Sequence, residues 1–147
     1  MRGIVGPYRF IGWKSLSGIE GTQFSMVLLQ NEKVIFRTQS LAPTKSGKKK
    51  TWGSVTTTNT GPVHLRSPSN VAIKIPESTF SGYTLDMVSP ATGEHWRFNI
   101  EFTQSVYWFQ ATPASRFGGF AANVTGGLVG GRQYSGLSSG NSQELEA

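Results

Sequence analysis

Lys45, Lys48, Lys49 and Lys50 crowd around Gly47, with Trp52 two places further on. Ammonium groups at that density neutralise phosphates and an indole beside them stacks on a base, so this loop has the chemistry of a single-strand nucleic-acid binder. The plainer alternative is a solvated hairpin loop whose lysines keep a sheet edge from aggregating, and it is favoured because the chain holds a single such cluster. A phosphate-cradling P-loop is excluded: Ala42 stands where that pattern places its first Gly, and no Ser or Thr follows Gly47-Lys48.

The other chemically capable side chains are scattered. His64 and His95 are the two histidines, there is no Cys, and no close His pair completes a metal site, so neither a metal nor a cofactor is expected. No G-x-S-x-G elbow presents a serine nucleophile. Glu94 and Glu101 fall on opposite parities of one strand and so point to opposite faces, a poor arrangement for paired-carboxylate hydrolysis. Trp13, Trp52, Trp96 and Trp108 could form a sugar-stacking platform, but the phase of Trp96 commits it to a core, leaving Trp13 and Trp52 as the free candidates. The sequon Asn123-Val124-Thr125 carries meaning only on a secretory route.

The elements that must position these groups read as strands. From Glu94 to Ala111 (EHWRFNIEFTQSVYWFQA), Trp96, Phe98, Ile100 and Phe102 occupy every second place, with Arg97, Asn99, Glu101 and Thr103 between them. Period two marks a strand with one buried and one wet face, and aromatic residues suit a pleated surface. Tyr83, Leu85 and Met87 must share that buried face, so paired residue numbers in the two strands sum to an odd value, 181 or 183 as the tight options. The chain's one Asp, Asp86, then faces His95 or Arg97, as an exposed ion pair worth under about 1 kcal/mol. Beyond Gln104 aromatics occupy both parities, which implies either burial on both sides or a bulge near Gln104.

Upstream, Tyr8 to Leu16 reads as a strand broken or bulged at Gly12. Phe24 to Leu28 and Val34 to Arg37 flank Gln30-Asn31-Glu32-Lys33 as a hairpin. Leu41 to Lys50 reads as a loop, Thr51 to Thr58 as a strand, and Val63 to Arg66 and Val71 to Ile75 as short strands. About eight short strands spaced near ten residues apart predict an all-β protein, an antiparallel sandwich or barrel of jelly-roll-like type. After Pro113 the composition turns to glycine: Phe117-Gly118-Gly119-Phe120 and Gly126-Gly127-Leu128-Val129-Gly130-Gly131. A free chain of that make-up lacks a packed core, so residues 113–147 are expected to be a Gly-rich C-terminal arm beside a 1–112 β domain, laying Phe117, Phe120, Leu128 and Val129 into grooves of a neighbouring subunit.

The totals point the same way. Charged residues make up 15% of the 147, against roughly a quarter in ordinary globular proteins, and the net charge is +6, which favours anionic partners. There is no signal-peptide run and no apolar stretch long enough to span a bilayer, so a cytoplasmic or virion location without membrane contact is expected. The reading that results is non-enzymatic: a structural or assembly subunit, such as a viral or phage capsid, decoration or tail protein, associating with itself or with other subunits. A nucleic-acid-binding β barrel using Lys45, Lys48, Lys49, Lys50 and Trp52 is the alternative, and a carbohydrate-binding sandwich the third.

Overall fold

Alternation from Trp96 to Phe102 produces the strand it predicts. The computed structural model describes residues 1–17, 21–40, 53–58, 82–112 and 115–145. Within them the chain forms β1 (Arg2–Val5), β2 (Tyr8–Ser17), β3 (Gly21–Gln30), β4 (Lys33–Ser40), β5 (Gly53–Thr58), β6 (Gly82–Val88), β7 (His95–Thr112), β8 (Ser115–Leu128) and β9 (Gln133–Leu145). On β7, Trp96, Phe98, Ile100 and Phe102 are buried while Arg97, Asn99, Glu101 and Thr103 are exposed. Strands β6 and β7 pair in the register whose residue numbers sum to 183, Leu85 opposite Phe98 and Asp86 opposite Arg97.

The fold is all-β, one antiparallel sheet in the order β4-β3-β2-β1-β9-β8-β7-β6-β5. In a flat sheet β2 and β7, four places apart, would be separated by about 19 Å at the usual strand spacing. Their rings nevertheless meet: Phe10 and Phe98 have centroids 5.4 Å apart, and Phe36 of β4 lies 6.4 Å from Trp96 of β7. The sheet therefore curls into a half-barrel around its own side chains, the barrel form of the expected architecture. Val5, Tyr8, Phe10, Met26, Leu28, Leu85, Met87 and Val124 join the inward face of β7 to make the core.

Local chemistry explains the joints. Asn31 and Glu32 adopt φ of 49° and 65° between Gln30 and Lys33, the two-residue hairpin turn whose twist matches its strands. The bulge expected near Gln104 is present as a register shift between Phe102 and Gln104, and further shifts follow at Ser105/Tyr107 and Gln110/Thr112. A register shift of this kind offsets the alternation along a strand. No break occurs at Gly12, in contrast to expectation; it pairs regularly with Met26, and a Cβ there would lie 3.1 Å from Met26 Cγ, so the glycine makes room for a side chain. Strand β1 went unread because four residues carry too little periodicity. The expected loop at 41–50 and the strands at 63–66 and 71–75 lie outside the described residues.

The Gly-rich stretch is not an arm. Residues 115–145 form β8 and β9, which lie between β7 and β1 in the middle of the sheet. Gly126 stands opposite Phe98 of the strand beside it, where a Cβ would lie 2.8 Å from Phe98 Cδ1. Composition alone reads such a segment as a flexible linker, whereas here small residues leave the volume that an aromatic strand fills.

Candidate functional site

One row of the outer face of the curled sheet divides into a polar and an apolar half. A single cross-strand row runs Glu101, Asn123, Leu137, Ile4, Arg9, Leu29, Val34 from β7 across to β4. The β7 and β8 members are polar, as a solvated face should be. From β9 onward the row is mostly apolar, and exposed: Leu137 at 71%, Ile4 at 57% and Val34 at 52%. The next row is mixed, with Ser139, Arg2 and Arg37 beside Ile11 and Val27, and Ile11 is 60% exposed.

On the apolar half lies a concavity of about 530 Å³ with Ile4, Ile11, Leu29 and Leu137 on its walls and Arg2, Arg9 and Glu32 at its rim. Strand β1 shapes it by alternation, Arg2 and Ile4 outward, Gly3 and Val5 inward. Gly3 is required there because a Cβ would sit 2.2 Å from Phe10 Cζ, whose ring lies across it towards Phe98. Arg9 Nε pairs with Glu32 at 3.1 Å, an exposed contact worth under about 1 kcal/mol. Among the described residues Arg2 has no carboxylate partner. Such a surface can hold an elongated apolar molecule and offer a guanidinium to a carbonyl or anion at its end.

On the polar half, Asp86 meets both partners that register offered it. Its Oδ1 accepts from Arg97 Nε at 2.7 Å and lies 2.6 Å from His95 Nε2, because His95 and Arg97 project from the same face of β7. Asp86 is the most sheltered of the three, and the cluster ties β6 to β7. Glu94 belongs to the turn before β7, where its carboxylate accepts from Thr92, and Glu101 stands exposed beside Asn123.

Inside the half-barrel, Tyr8 is buried with its ring edge-on to Phe98 and Tyr134. Burial raises its phenol above the ordinary 10.0, Tyr134 and Glu94 add to that, and the Trp96 indole N–H, donating to the phenol oxygen, opposes it. The folded state thus holds this proton more tightly than the unfolded chain. The stabilisation is whole below pH 10.0 and is lost as pH rises through the folded-state value. In Tyr8→Phe the alkaline fall in urea midpoint between about pH 9 and about pH 11 is expected to flatten. The variant also starts lower at neutral pH, by about 1–3 kcal/mol, because the Trp96 N–H loses its acceptor. A variant whose alkaline limb parallels that of the parent would refute this role.

Lys45, Lys48, Lys49, Lys50 and Trp52, and also His64, lie outside the described residues. Phe117 belongs to β8, and its side chain lies outside the described ones. Phe120 is buried and stacked on Phe102 at 4.3 Å, Leu128 packs against the core, and Val129 is an exposed turn residue. Phe120 and Leu128 are therefore core members of their own sheet. Trp13 is half-exposed on the outer face and Trp96 is buried, as its phase requires. Among the described residues no three acidic, His or Cys side chains cluster as a metal site would need. The concavity itself went unread, since its walls join residues 4 and 137 from opposite ends of the chain.

A half-barrel with an apolar hollow on its outer wall is a scaffold for shape-dependent binding. The chain belongs to the Diels-Alderase-like family, whose pattern matches residues 1–146. It is 26% identical over 132 residues to Diels-Alderase mycB of Thermothelomyces thermophilus, across 88% of this chain and 27% of that protein. To Diels-Alderase mpsD of Macrophomina phaseolina it is 41% identical over 73 residues, 46% of this chain and 18% of that one. The crystal structure of CghA with Sch210972 shares the fold, with a TM-score of 0.70 at 21% identity over 99% of this chain and 39% of that chain. The chain thus spans about a quarter or less of the length of these curated relatives.

These findings overturn the expected function. A family of Diels-Alderases displaces the non-enzymatic capsid, decoration or tail subunit, and with it the nucleic-acid-binding and carbohydrate-binding alternatives. The expectation failed for a chemical reason. Acid–base pairs, nucleophiles and metal clusters mark only those reactions that use them, and their scarcity in the sequence does not bear on the others.

Proposed function

We propose that the protein is an enzyme that closes a ring by intramolecular [4+2] cycloaddition of a linear polyene, with the apolar concavity as one wall of the reaction site. The observation that carries this reading is the family match over residues 1–146. In such a reaction a conjugated diene and an alkene on one chain exchange two π bonds for two carbon–carbon σ bonds. No atom leaves and no electron is gained or lost. Much of the barrier lies in reaching the folded conformer in which the reacting carbons stand about 3–3.5 Å apart.

Ile4, Ile11, Leu29 and Leu137 favour that conformer, because a polyene folded against them withdraws hydrocarbon from water at about 25 cal/mol per Å². Arg2 at the rim can donate hydrogen bonds to a carbonyl conjugated with the alkene, drawing electron density from it and easing attack by the diene. Incubated with a linear polyene carrying a diene and a carbonyl-activated alkene, the protein is expected to give one ring stereoisomer at least tenfold faster than buffer, about 1.4 kcal/mol off the barrier. Arg2→Ala should lose most of that gain while its circular dichroism is unchanged. A rate and isomer ratio equal to those in buffer would overturn the reading.

A further inference from the structure

We infer that Glu32 is a specificity-determining residue of the concavity: it holds Arg9 aside, so that the hollow takes an apolar chain ending in a carbonyl or carboxylate and discriminates against one ending in a doubly charged group such as a phosphate monoester. The backbone is the first ground. Among the described residues the non-glycine positions at positive φ are Asn31 and Glu32, at 49° and 65°. They are the central pair of the β3–β4 hairpin turn, and the second place of such a turn ordinarily takes glycine, because a Cβ is strained there. Asparagine tolerates the left-handed region through its short polar side chain, and glutamate lacks that relief. Glu32 nevertheless stands there, exposed, with Arg9 as its partner at 3.1 Å. An exposed pair of this kind stabilises a fold by less than a left-handed side chain destabilises it. Glycine would serve the fold better, so the carboxylate answers to the site.

What it does there follows from where the turn holds it. Asn31 N–H donates to the Pro7 carbonyl at 3.0 Å, which docks the turn on the connection between β1 and β2 and carries Glu32 to the rim beside Arg9. The rim then sets the guanidiniums of Arg2 and Arg9 against one carboxylate, which leaves a single positive charge. With Arg9 Nε held by Glu32, Arg2 is the rim guanidinium without a carboxylate partner among the described residues. One such fork matches one carbonyl or carboxylate. A doubly charged end would need a second free guanidinium and meets the Glu32 carboxylate instead. That repulsion scales with the charge on the ligand, from nothing at a neutral end to double at a dianion. The inference rests on the concavity being the binding site of the proposed reaction, and adds which polar end that site accepts.

Binding of three eight-carbon probes to the full chain, read by isothermal titration calorimetry at about pH 8 and low ionic strength, tests it without the reaction. Octanol is neutral, octanoate carries one charge and octyl phosphate nearly two. The parent should bind octanoate more tightly than octyl phosphate. In Glu32→Gln, which keeps the shape of the side chain and removes its charge, octanoate is expected to bind about threefold tighter, octyl phosphate about tenfold tighter, and octanol as before. Glu32→Gly should show the same grading and also melt about 2–6 °C higher, because the strain leaves with the side chain. Equal gains for all three probes, no gain for the anions, a lower melting temperature in Glu32→Gly, or a parent that binds none of the probes would each overturn the inference. A protein that shows the graded gains but closes no ring would sink the proposed reaction alone.

Discussion

Phe98→Ala is expected to lower unfolding stability by about 3–5 kcal/mol, a large share of the roughly 5–15 kcal/mol that holds a domain of this size together. Phe98 is 0% exposed and sits where the curl closes. Its ring meets Tyr8 at 5.7 Å, edge-on, and Phe10 at 5.4 Å, so β7 and β2, four places apart in the sheet, are joined through this one side chain. Removing the ring leaves a void that cannot collapse easily, because Leu85 and Gly126 on the flanking strands are held by their ladders. Phe98→Leu, which keeps most of the volume, should cost under about 1.5 kcal/mol. Urea midpoints of the two variants at unchanged m-value would measure the difference. A loss below about 1 kcal/mol for the alanine variant would mean that the sheet does not close around this ring.

Gly126→Ala is expected to cost nearly as much, by a different route. A Cβ at Gly126 would lie 2.1 Å from the Arg97 carbonyl oxygen and 2.8 Å from Phe98 Cα, and the φ of 155° already disfavours an L side chain. The obstacle is backbone of the central strand, which cannot swing aside as a side-chain tip can. Strain at such a φ costs about 1–3 kcal/mol and overpacking about as much again, giving a loss on the order of 2–6 kcal/mol. Gly93→Ala separates the two contributions: its φ is 75°, but nothing lies within 4 Å of the added methyl, so it bears the conformational penalty alone. Thermal midpoints should therefore fall well further for Gly126→Ala than for Gly93→Ala. Equal falls would show that close packing of β8 against β7 contributes nothing.

The candidate site was less legible than the frame around it. Asp86, His95 and Arg97 could be placed together because each lies within one residue pair of a strand whose phase is plain. The concavity could not, since Ile4 and Leu137 become neighbours only through the β1–β9 ladder, 133 positions apart in sequence. Its function was also hidden by the kind of chemistry proposed. Shape-directed cyclisation leaves no signature of titratable residues for a short window of sequence to carry.

Period two over residues 96–102, the Asn31-Glu32 turn and the parity of Asp86 are written into short windows, and local geometry suffices to read them: side chains alternate, turns demand particular φ values, and buried faces must match. Whether those strands would form two sheets or one curled sheet, and whether the glycines of residues 118–131 would hang free or line the aromatic strand, depended on partners distant in sequence. A glycine has the same composition in a linker and in a strand, and only the ring that fills its space distinguishes the two.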